Sequence, residues 1–315
     1  MIMDQDHLAR RLLKQDKRAL SRSISLVENQ SPKSDKIISE VFPHIGKSHI
    51  IGITGPPGSG KSTLINKLIQ YYRKEDLSIA VLAIDPTSPF TGGAILGDRI
   101  RMLEFSADSK VFIRSMASRG RIGGLSTATF DSLCLLDAFG FDVILIETVG
   151  AGQNEVDIYR HCDTTIVVTV PGLGDDIQSI KAGMYEIPDI FVVNKADLEG
   201  SDELQRQLKI MLEMHSSNDE WEIPVLKTSS YIESGIDRLI KKINNHFTYM
   251  QTSKHLNNRR SSRVKTEVMY KLHNLILANF EENQRPIDNE IEEYIKKNLS
   301  PSVIAKKIIT SLNNK

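Results

Sequence analysis

A glycine-rich loop between an apolar run and a helical pattern constrains this chain more than any other feature. The apolar run is Ile50–Thr54, and the segment Lys61–Tyr72 carries leucine and isoleucine at helical spacing. The loop between them consists of Gly55, Pro56, Pro57, Gly58, Ser59 and Gly60, and the helical segment begins with Lys61, Ser62 and Thr63. Backbone N–H groups of such a loop surround phosphates at a helix N-terminus, while Lys61 reaches the terminal phosphates and the Ser62 hydroxyl binds Mg²⁺. The sequence therefore predicts a strand, loop and helix that bind nucleotide phosphates.

The surrounding region, residues 49–250, alternates short apolar runs with helical segments. The runs are Ile50–Thr54, Ile79–Ile84, Val111–Ile113, Asp142–Ile146, Thr165–Val170, Ile190–Val193 and Val225–Leu226. They are continuous rather than alternating, which is typical of parallel strands covered on both faces. The pattern predicts an α/β fold, a doubly wound and mostly parallel sheet of the P-loop NTPase type.

The two flanking regions have a helical rhythm and no visible chemistry. Residues 1–48 predict an N-terminal helical extension that packs on the main body. Residues 251–315 predict a C-terminal helical arm, which begins with a polar linker at His255–Arg263 and ends in a helix opened by Ser300 and Pro301. Helices left beside a complete α/β domain usually bury their apolar faces on a partner, so the arm predicts a homodimer.

Composition excludes several classes of protein. Forty basic and forty acidic residues cancel, so no overall field favours nucleic acid or an anionic membrane. Cys134 and Cys162 are the only cysteines and form no zinc-binding pair, so we expect two reduced thiols. The apolar runs are shorter than the roughly 20 residues of a membrane span, and the start lacks a secretory signal pattern. We expect a soluble, cytoplasmic protein without nucleic-acid or membrane partners.

A second motif follows the apolar run Ile190–Val193. Asn194 and Lys195 lead to Asp197, whose carboxylate at a strand end can accept hydrogen bonds from N1–H and the 2-amino group of guanine. Adenine offers no such pair of donors, and an unpaired carboxylate there would be costly. Ser229 and Ser230, after the last run, are predicted to supply a backbone N–H to guanine O6. The motif predicts a preference for guanine.

Acidic residues follow two further strands. Glu147 ends the run Asp142–Ile146, where a carboxylate can hold Mg²⁺, and Gly150 is placed to sense a γ-phosphate. Asp85 ends another run, and Asp98 lies in a glycine-bearing loop. Both are candidate ligands at the edge of the sheet, although spacing alone equally allows ordinary cap or turn residues.

The chain resembles a known family across these motifs and several others. The matching segments are Gly52–Gly58, Leu82–Pro89, Thr91–Arg99, Ser118–Gly120, Glu147–Gly150, Gly152–Gln153 and Pro171–Asp175. In these segments the sequence resembles the methylmalonyl-CoA mutase-associated GTPases, the MeaB/ArgK group. The resemblance covers the region from about residue 14 through the nucleotide-binding domain and fades over the C-terminal helices.

The resemblance implies a G-protein chaperone that binds and hydrolyses GTP to gate adenosylcobalamin loading of an acyl-CoA mutase. Methylmalonyl-CoA mutase is the expected client, the C-terminal arm forms the homodimer, and GTP/GDP and Mg²⁺ are the cofactors. The implied magnesium shell is Ser62, Asp85, Asp98 and Glu147. The implied switch that responds to the partner is Pro171–Tyr185 with Lys181. Lys61, Glu147 and Lys181 are therefore candidate catalytic residues, and Gln153 is a candidate to orient the attacking water.

Other functions remain open at this point. A GTPase metallochaperone shares the nucleotide site, but such proteins usually carry a histidine-rich tract or a cysteine cluster, and the sequence has neither. A transport-associated ATP kinase is disfavoured by the Asn194–Asp197 motif. A scaffold with a degenerate site is disfavoured by the intact Lys61, Ser62 and Glu147.

Overall fold

The computed structural model describes most of the chain. The described residues are 7–85, 104–105, 107–117, 127–148, 158–172, 188–214, 221–229, 232–282, 287, 291–292, 294 and 299–313. The N-terminal helices are α1 (Leu8–Leu13), α2 (Lys17–Glu28) and α3 (Lys33–Val41). They are followed by β1 (His49–Thr54), α4 (Lys61–Lys74), β2 (Ile79–Asp85), β3 (Val111–Ala117), α5 (Thr127–Phe139), β4 (Val143–Thr148), β5 (Thr164–Thr169), β6 (Ile190–Val193), α6 (Ser201–Met214), β7 (Val225–Lys227), α7 (Ile236–Thr252), α8 (His255–Glu282) and α9 (Pro301–Asn313).

The seven strands form one parallel sheet in the order β3-β2-β4-β1-β5-β6-β7. This confirms the predicted fold class. Six of the predicted strands agree with the structure within two residues, whereas β3 continues four residues beyond the predicted Val111–Ile113 to Ala117. Arg114 and Ser115 interrupt the apolar run, but β3 is an edge strand and pairs with β2 along its whole length.

The strands contribute to a core on each face of the sheet because successive side chains point to opposite faces. Ile50 and Ile144 belong to the cluster that includes residues of α1, α2, α3 and α5. Ile51 and Leu145 belong to the cluster built with α4 and α7, and a third cluster joins β6 to α6. Helices on both faces explain why the strands are continuous apolar runs.

The N-terminal segment is helical, as its spacing predicts. Leu12, Leu20 and Ile24 are fully buried in the same cluster as residues of α5. Asp16 begins α2 by accepting hydrogen bonds from the backbone N–H groups of Arg18 at 2.8 Å and Ala19 at 3.2 Å, which satisfies donors that the first turn leaves without helical partners.

The chain divides into two compact units, Met1–Arg263 and Val264–Lys315, with the division inside α8. The predicted polar linker at His255–Arg263 is wrong, because these residues form the first turns of α8. In the second unit, Ile287, Ile304 and Ile308 form a small apolar cluster. Among the described helices, none combines the length and apolar character that crossing a membrane requires.

Candidate nucleotide-binding site

The predicted site residues follow strands whose carboxyl ends meet at one edge of the sheet. The loop Gly55–Gly60 connects β1 to α4, Glu147 lies in β4 next to β1, and Asn194 follows β6. Strands β1, β4 and β5 are adjacent, although the chain reaches β4 only after visiting the far edge of the sheet. Ligands of open parallel sheets bind at such a reversal of strand order.

Two positions of the loop require glycine. Gly55 has φ +143°, and a Cβ atom there would lie 2.0 Å from the carbonyl oxygen of Val168. Gly60 has φ +87°, and its Cβ atom would lie 2.4 Å from the side-chain nitrogen of Asn194. Both the left-handed backbone and the close packing therefore exclude a side chain, which lets the loop lie directly against β5 and the guanine motif.

Lys61 is buried in the first turn of α4 and folds back over its own loop. Its Nζ donates hydrogen bonds to the carbonyl oxygens of Gly55 at 2.8 Å and Pro56 at 3.0 Å. The ammonium group is thereby held beside the N-terminus of a 14-residue helix, where backbone N–H groups also favour an anion. Thr63 lies in the same turn. The arrangement suits a phosphate chain.

Ser62 and Glu147 bring two oxygen ligands together from different elements. The Ser62 hydroxyl donates to Oε1 of Glu147 at 2.8 Å, and both side chains are buried. Next to Glu147, the Thr148 hydroxyl donates to the Thr54 hydroxyl at 3.0 Å. Hydroxyl and carboxylate oxygens are the ligands that Mg²⁺ prefers, so this pair fits part of a magnesium shell.

The other predicted ligands are described only in part. Asp85 is the last residue of β2, and the neighbouring pair Ile84 and Thr148 shows that β2 and β4 end side by side. The backbone therefore places Asp85 near the end of the strand that carries Glu147, whereas Asp98 lies outside the described residues. Within the described part of the chain, His, Cys, Asp and Glu side chains form no group of three at metal-binding distance.

Asn194 joins the phosphate loop to the guanine side of the site. Its side-chain nitrogen donates to the carbonyl oxygen of Ser59 at 2.8 Å, and its Oδ1 accepts the hydroxyl of Thr228 at 3.1 Å. The side chain is buried, so both contacts form away from water. The motif predicted that Asn194 belongs to the site, but the spacing alone did not indicate this contact with the phosphate loop.

Asp197 presents the predicted base-reading carboxylate at an exposed position. The Ser229 hydroxyl donates to its Oδ1 at 2.5 Å. That hydrogen bond, with one from the backbone N–H of Asp197, lowers the pKa of the carboxyl below its usual range. The preceding Lys195 has φ +53°, and the N–H of Ala196 donates to the carbonyl oxygen of Thr228 at 2.9 Å. Both base-reading segments are thus held together.

Of the predicted residues, the structure brings Lys61, Ser62 and Glu147 to one end of the site and Asn194, Asp197 and Ser229 to the other. Six predicted positions lie outside the described residues, namely Asp98, Gly150, Gln153, Lys181, Ser230 and the side chain of Asp85. A parallel sheet in this order, with a phosphate loop after β1 and an Asn-Lys-x-Asp motif after β6, defines a phosphate-loop GTPase.

Comparison with known proteins identifies the family. The sequence model described as "Methylmalonyl Co-A mutase-associated GTPase MeaB" matches residues 20–285. A protein of Pyrococcus horikoshii named as a GTPase is 48% identical over 299 residues, which cover 94% of each chain. GTPase ArgK of Escherichia coli is 36% identical over 242 residues, 73% of this chain and 72% of its own. The crystal structure of a protein described as an LAO/AO transport system kinase aligns over 99% of both chains, with a TM-score of 0.74 and 25% identity.

The chain belongs to the methylmalonyl-CoA mutase-associated GTPase family, and it is a GTPase.

Proposed function

We propose that this GTPase is a nucleotide-controlled chaperone of an adenosylcobalamin-dependent acyl-CoA mutase, with methylmalonyl-CoA mutase as the first candidate client. The observation that supports the client is the match of residues 20–285 to a family named for its association with that mutase. GTP binding and hydrolysis would gate cofactor loading of the mutase and protect or reactivate it. The exposed, ionised carboxylate of Asp197 supports guanine as the base.

At the phosphate end, Lys61 and the N–H groups of Gly55–Gly60 bind the terminal phosphates in this proposal. Ser62, Asp85, Asp98 and Glu147 would hold Mg²⁺, whose charge would offset the negative charge of the phosphates. The buried hydrogen bond between Ser62 and Glu147 supports these two as ligands.

At the base end, Asp197, Ser229 and Ser230 read guanine, while Asn194 and Lys195 hold the base loop and the phosphate loop in register. Three further residues act on the reaction itself: Gly150 senses the γ-phosphate, Gln153 orients water, and Lys181 responds to the partner. Catalysis in this proposal is positioning and electrostatic stabilisation, because the candidate site residues include no obvious strong general base.

The proposed protein is a cytoplasmic homodimer that associates through the C-terminal helical arm, residues 251–315. Val268, Leu272 and Leu275 follow one another at helical spacing in α8 and are 47–67% exposed, as are Met269 and Ile276 beside them. Such a stripe is the usual contact of a helix with a partner. Cys134 and Cys162 are buried as thiols rather than as a disulfide, which fits a reducing compartment.

The experiment is GTP turnover by the purified protein, with ATP as control, in the presence and absence of methylmalonyl-CoA mutase from the same genome. We expect selective GTP hydrolysis that rises when the mutase is added. The Lys61→Ala variant should lose the activity, which would show that turnover belongs to this chain. Selective hydrolysis that ignores the mutase would remove the client from the proposal and leave the GTPase.

A transport-associated ATP kinase is a second candidate, because the solved relative is described as a transport system kinase. The carboxylate of Asp197 opposes it, since adenine has no paired donors for that acceptor. Faster turnover of ATP than of GTP in the same assay would favour this candidate over the proposed function.

A further inference from the structure

An ion pair joins the phosphate-loop helix to the loop that follows β7. Lys67 lies in α4, six residues after Lys61, and its Nζ contacts the Glu233 carboxylate directly. Lys67 also donates to Oε1 of Gln70 at 3.4 Å, which keeps its side chain along the helix surface. Glu233 comes from a part of the chain 166 residues away, so the contact is a tertiary one.

The loop that carries Glu233 contains a turn whose C-terminal end is anchored to the chain that follows β7. Ser229 and Ser234 exchange backbone hydrogen bonds of 3.0 and 3.1 Å, which brings Glu233 next to the strand end that leads to Ser229. Gly235 has φ +78°, and a Cβ atom there would lie 2.2 Å from the carbonyl oxygen of Lys227. These contacts fix the chain directly after Glu233, and the ion pair adds a contact between Glu233 itself and α4.

The two sides of this turn have different partners. On one side, the Ser229 hydroxyl donates to Asp197, which carries the base-reading carboxylate. On the other side, Glu233 contacts Lys67 of the helix that begins with Lys61 and Ser62. The ion pair thus connects the element that holds the phosphates to the loop that contacts the base.

We propose that Lys67 and Glu233 are a positioning pair that holds the segment 232–235, which is paired with Ser229, against α4 and thereby slows the dissociation of guanine nucleotide. The inference rests on the proposed assignment of Asp197 and Ser229 to the base. The pair touches no nucleotide atom and acts by stabilising the loop conformation that binds. Such a contact strengthens nucleotide binding to the extent that it raises the population of the loop conformation that binds.

The exposure of the pair sets the size of the effect. The Glu233 side chain is 69% exposed and that of Lys67 is 21% exposed, so solvent weakens their attraction. Removing an exposed ion pair of this kind typically changes an equilibrium constant or a rate constant by about 2- to 5-fold. The Debye length falls from about 10 Å at 0.1 M salt to about 3 Å at 1 M, so the effect should shrink at high salt.

The test measures the release of a fluorescent GDP analogue by stopped flow from the full-length protein. The variants are Lys67→Met, Glu233→Gln and the exchange Lys67→Glu with Glu233→Lys. The matched control is Lys110→Met, which removes the exposed ion pair of Lys110 with Asp76, 2.7 Å long and placed in another part of the fold. Wild-type binding of the GDP analogue is measured first, so that a failed guanine assignment is recognised separately.

We expect each single variant to release GDP about 2- to 5-fold faster in 0.1 M salt, and the exchange variant to return to within about 1.5-fold of wild type. The thermal unfolding midpoint should not follow these changes, and the control should release GDP at the wild-type rate. Single variants with wild-type release, or an exchange variant as fast as the single variants, would overturn the proposal even if wild type binds GDP tightly.

Discussion

At the scale of the residue, the proposed preference for guanine depends on Asp197. Its carboxylate lies at an exposed position, and the Ser229 hydrogen bond lowers its pKa below the usual range of an aspartate. Guanine offers N1–H and a 2-amino group on one edge, and a carboxylate accepts from both, whereas an amide side chain would place a donor against one of them. The effect of changing this residue should therefore depend on the base.

We expect Asp197→Asn to weaken GTP binding by about 10- to 100-fold and to leave ATP binding unchanged. The estimate follows from the roughly 1.5–3 kcal/mol of a hydrogen bond to a charged group, at 1.4 kcal/mol for each factor of ten. Titration with fluorescent analogues of both nucleotides measures it. Glu203→Gln, an exposed change on α6, is the control, and equal losses for GTP and ATP would show that Asp197 does not read the base.

At the scale of the element, the first turns of α8 are fixed to the amino end of the sheet by buried charges. Asp163 is fully buried, and it accepts hydrogen bonds from Arg260 at 2.8 Å, Arg263 at 2.9 Å and the backbone N–H of Ile50 at 3.1 Å. Burial alone would raise the pKa of Asp163, but the charge of Arg263 and the charge and hydrogen bond of Arg260 outweigh it and lower the pKa to about 2. This cluster holds α8 to β1 and β5.

We expect Asp163→Asn to lower the free energy of unfolding by about 3 kcal/mol. Removing one partner of a buried ion pair typically costs about 3–5 kcal/mol, because the remaining charges lose their compensation. Urea unfolding at neutral pH measures the change, with Asp76→Asn, 81% exposed, as the control. A loss below about 1 kcal/mol would show that the arginines find other partners.

Still at this scale, β3 and α8 show where the elements could be predicted and where they could not. The apolar part of β3 marks the strand, but its second half contains Arg114 and Ser115. Arg114 is tolerated there because it donates to Glu28 at 2.9 Å and to Ser25 at 3.1 Å, both on α2. The polar start of α8 likewise has the composition of a linker. In the structure it is helical, and its arginines donate hydrogen bonds to Asp163 and Asp189.

At the scale of the whole molecule, a buried neutral histidine links stability to pH. His49 stacks on Phe247 with ring centroids 3.9 Å apart, and its Nε2 lies 2.8 Å from the Thr164 hydroxyl. Burial is the main cause that lowers the pKa of His49 to about 3. The charges of the neighbouring residues have smaller effects on this pKa; these neighbours are Asp163, His246, Arg260 and Asp189. The unfolded chain takes up a proton near pH 6.5, whereas the folded protein does so only near pH 3. The stability that the neutral ring contributes is present above pH 6.5 and is lost as the pH falls from 6.5 towards 3.

We expect the wild-type protein to lose about 2–3 kcal/mol more unfolding free energy between pH 7 and pH 4.5 than His49→Gln, at about 1.4 kcal/mol for each pH unit. Glutamine keeps a partner for Thr164 but does not titrate. Urea unfolding across this range measures the difference, and His44→Gln, at an exposed position, should follow the wild type. Parallel pH profiles for wild type and His49→Gln would contradict the expectation.

The sequence by itself determined the fold class and the chemical groups of the site. Continuous apolar runs specify a parallel sheet covered on both faces, and the residues predicted to bind phosphate and base follow those runs directly. Because parallel strands end at the same edge, Lys61, Glu147 and Asp197 could be assigned to one site from their places along the chain. The apolar runs and the motifs that follow them consist of residues close together in the sequence, so they can be recognised without the structure.

Which distant side chains contact one another is evident only in the packed fold. Arg260 contacts Gly46, 214 residues away, and Asp163, 97 residues away, and Lys67 meets Glu233 across 166 residues. No local sequence pattern distinguishes these paired charges from solvated ones. Their pairing depends on burial and on the packing of elements that are far apart in the sequence. The physical reason is that helix and strand periodicity is local, whereas desolvation and ion pairing are properties of the packed fold.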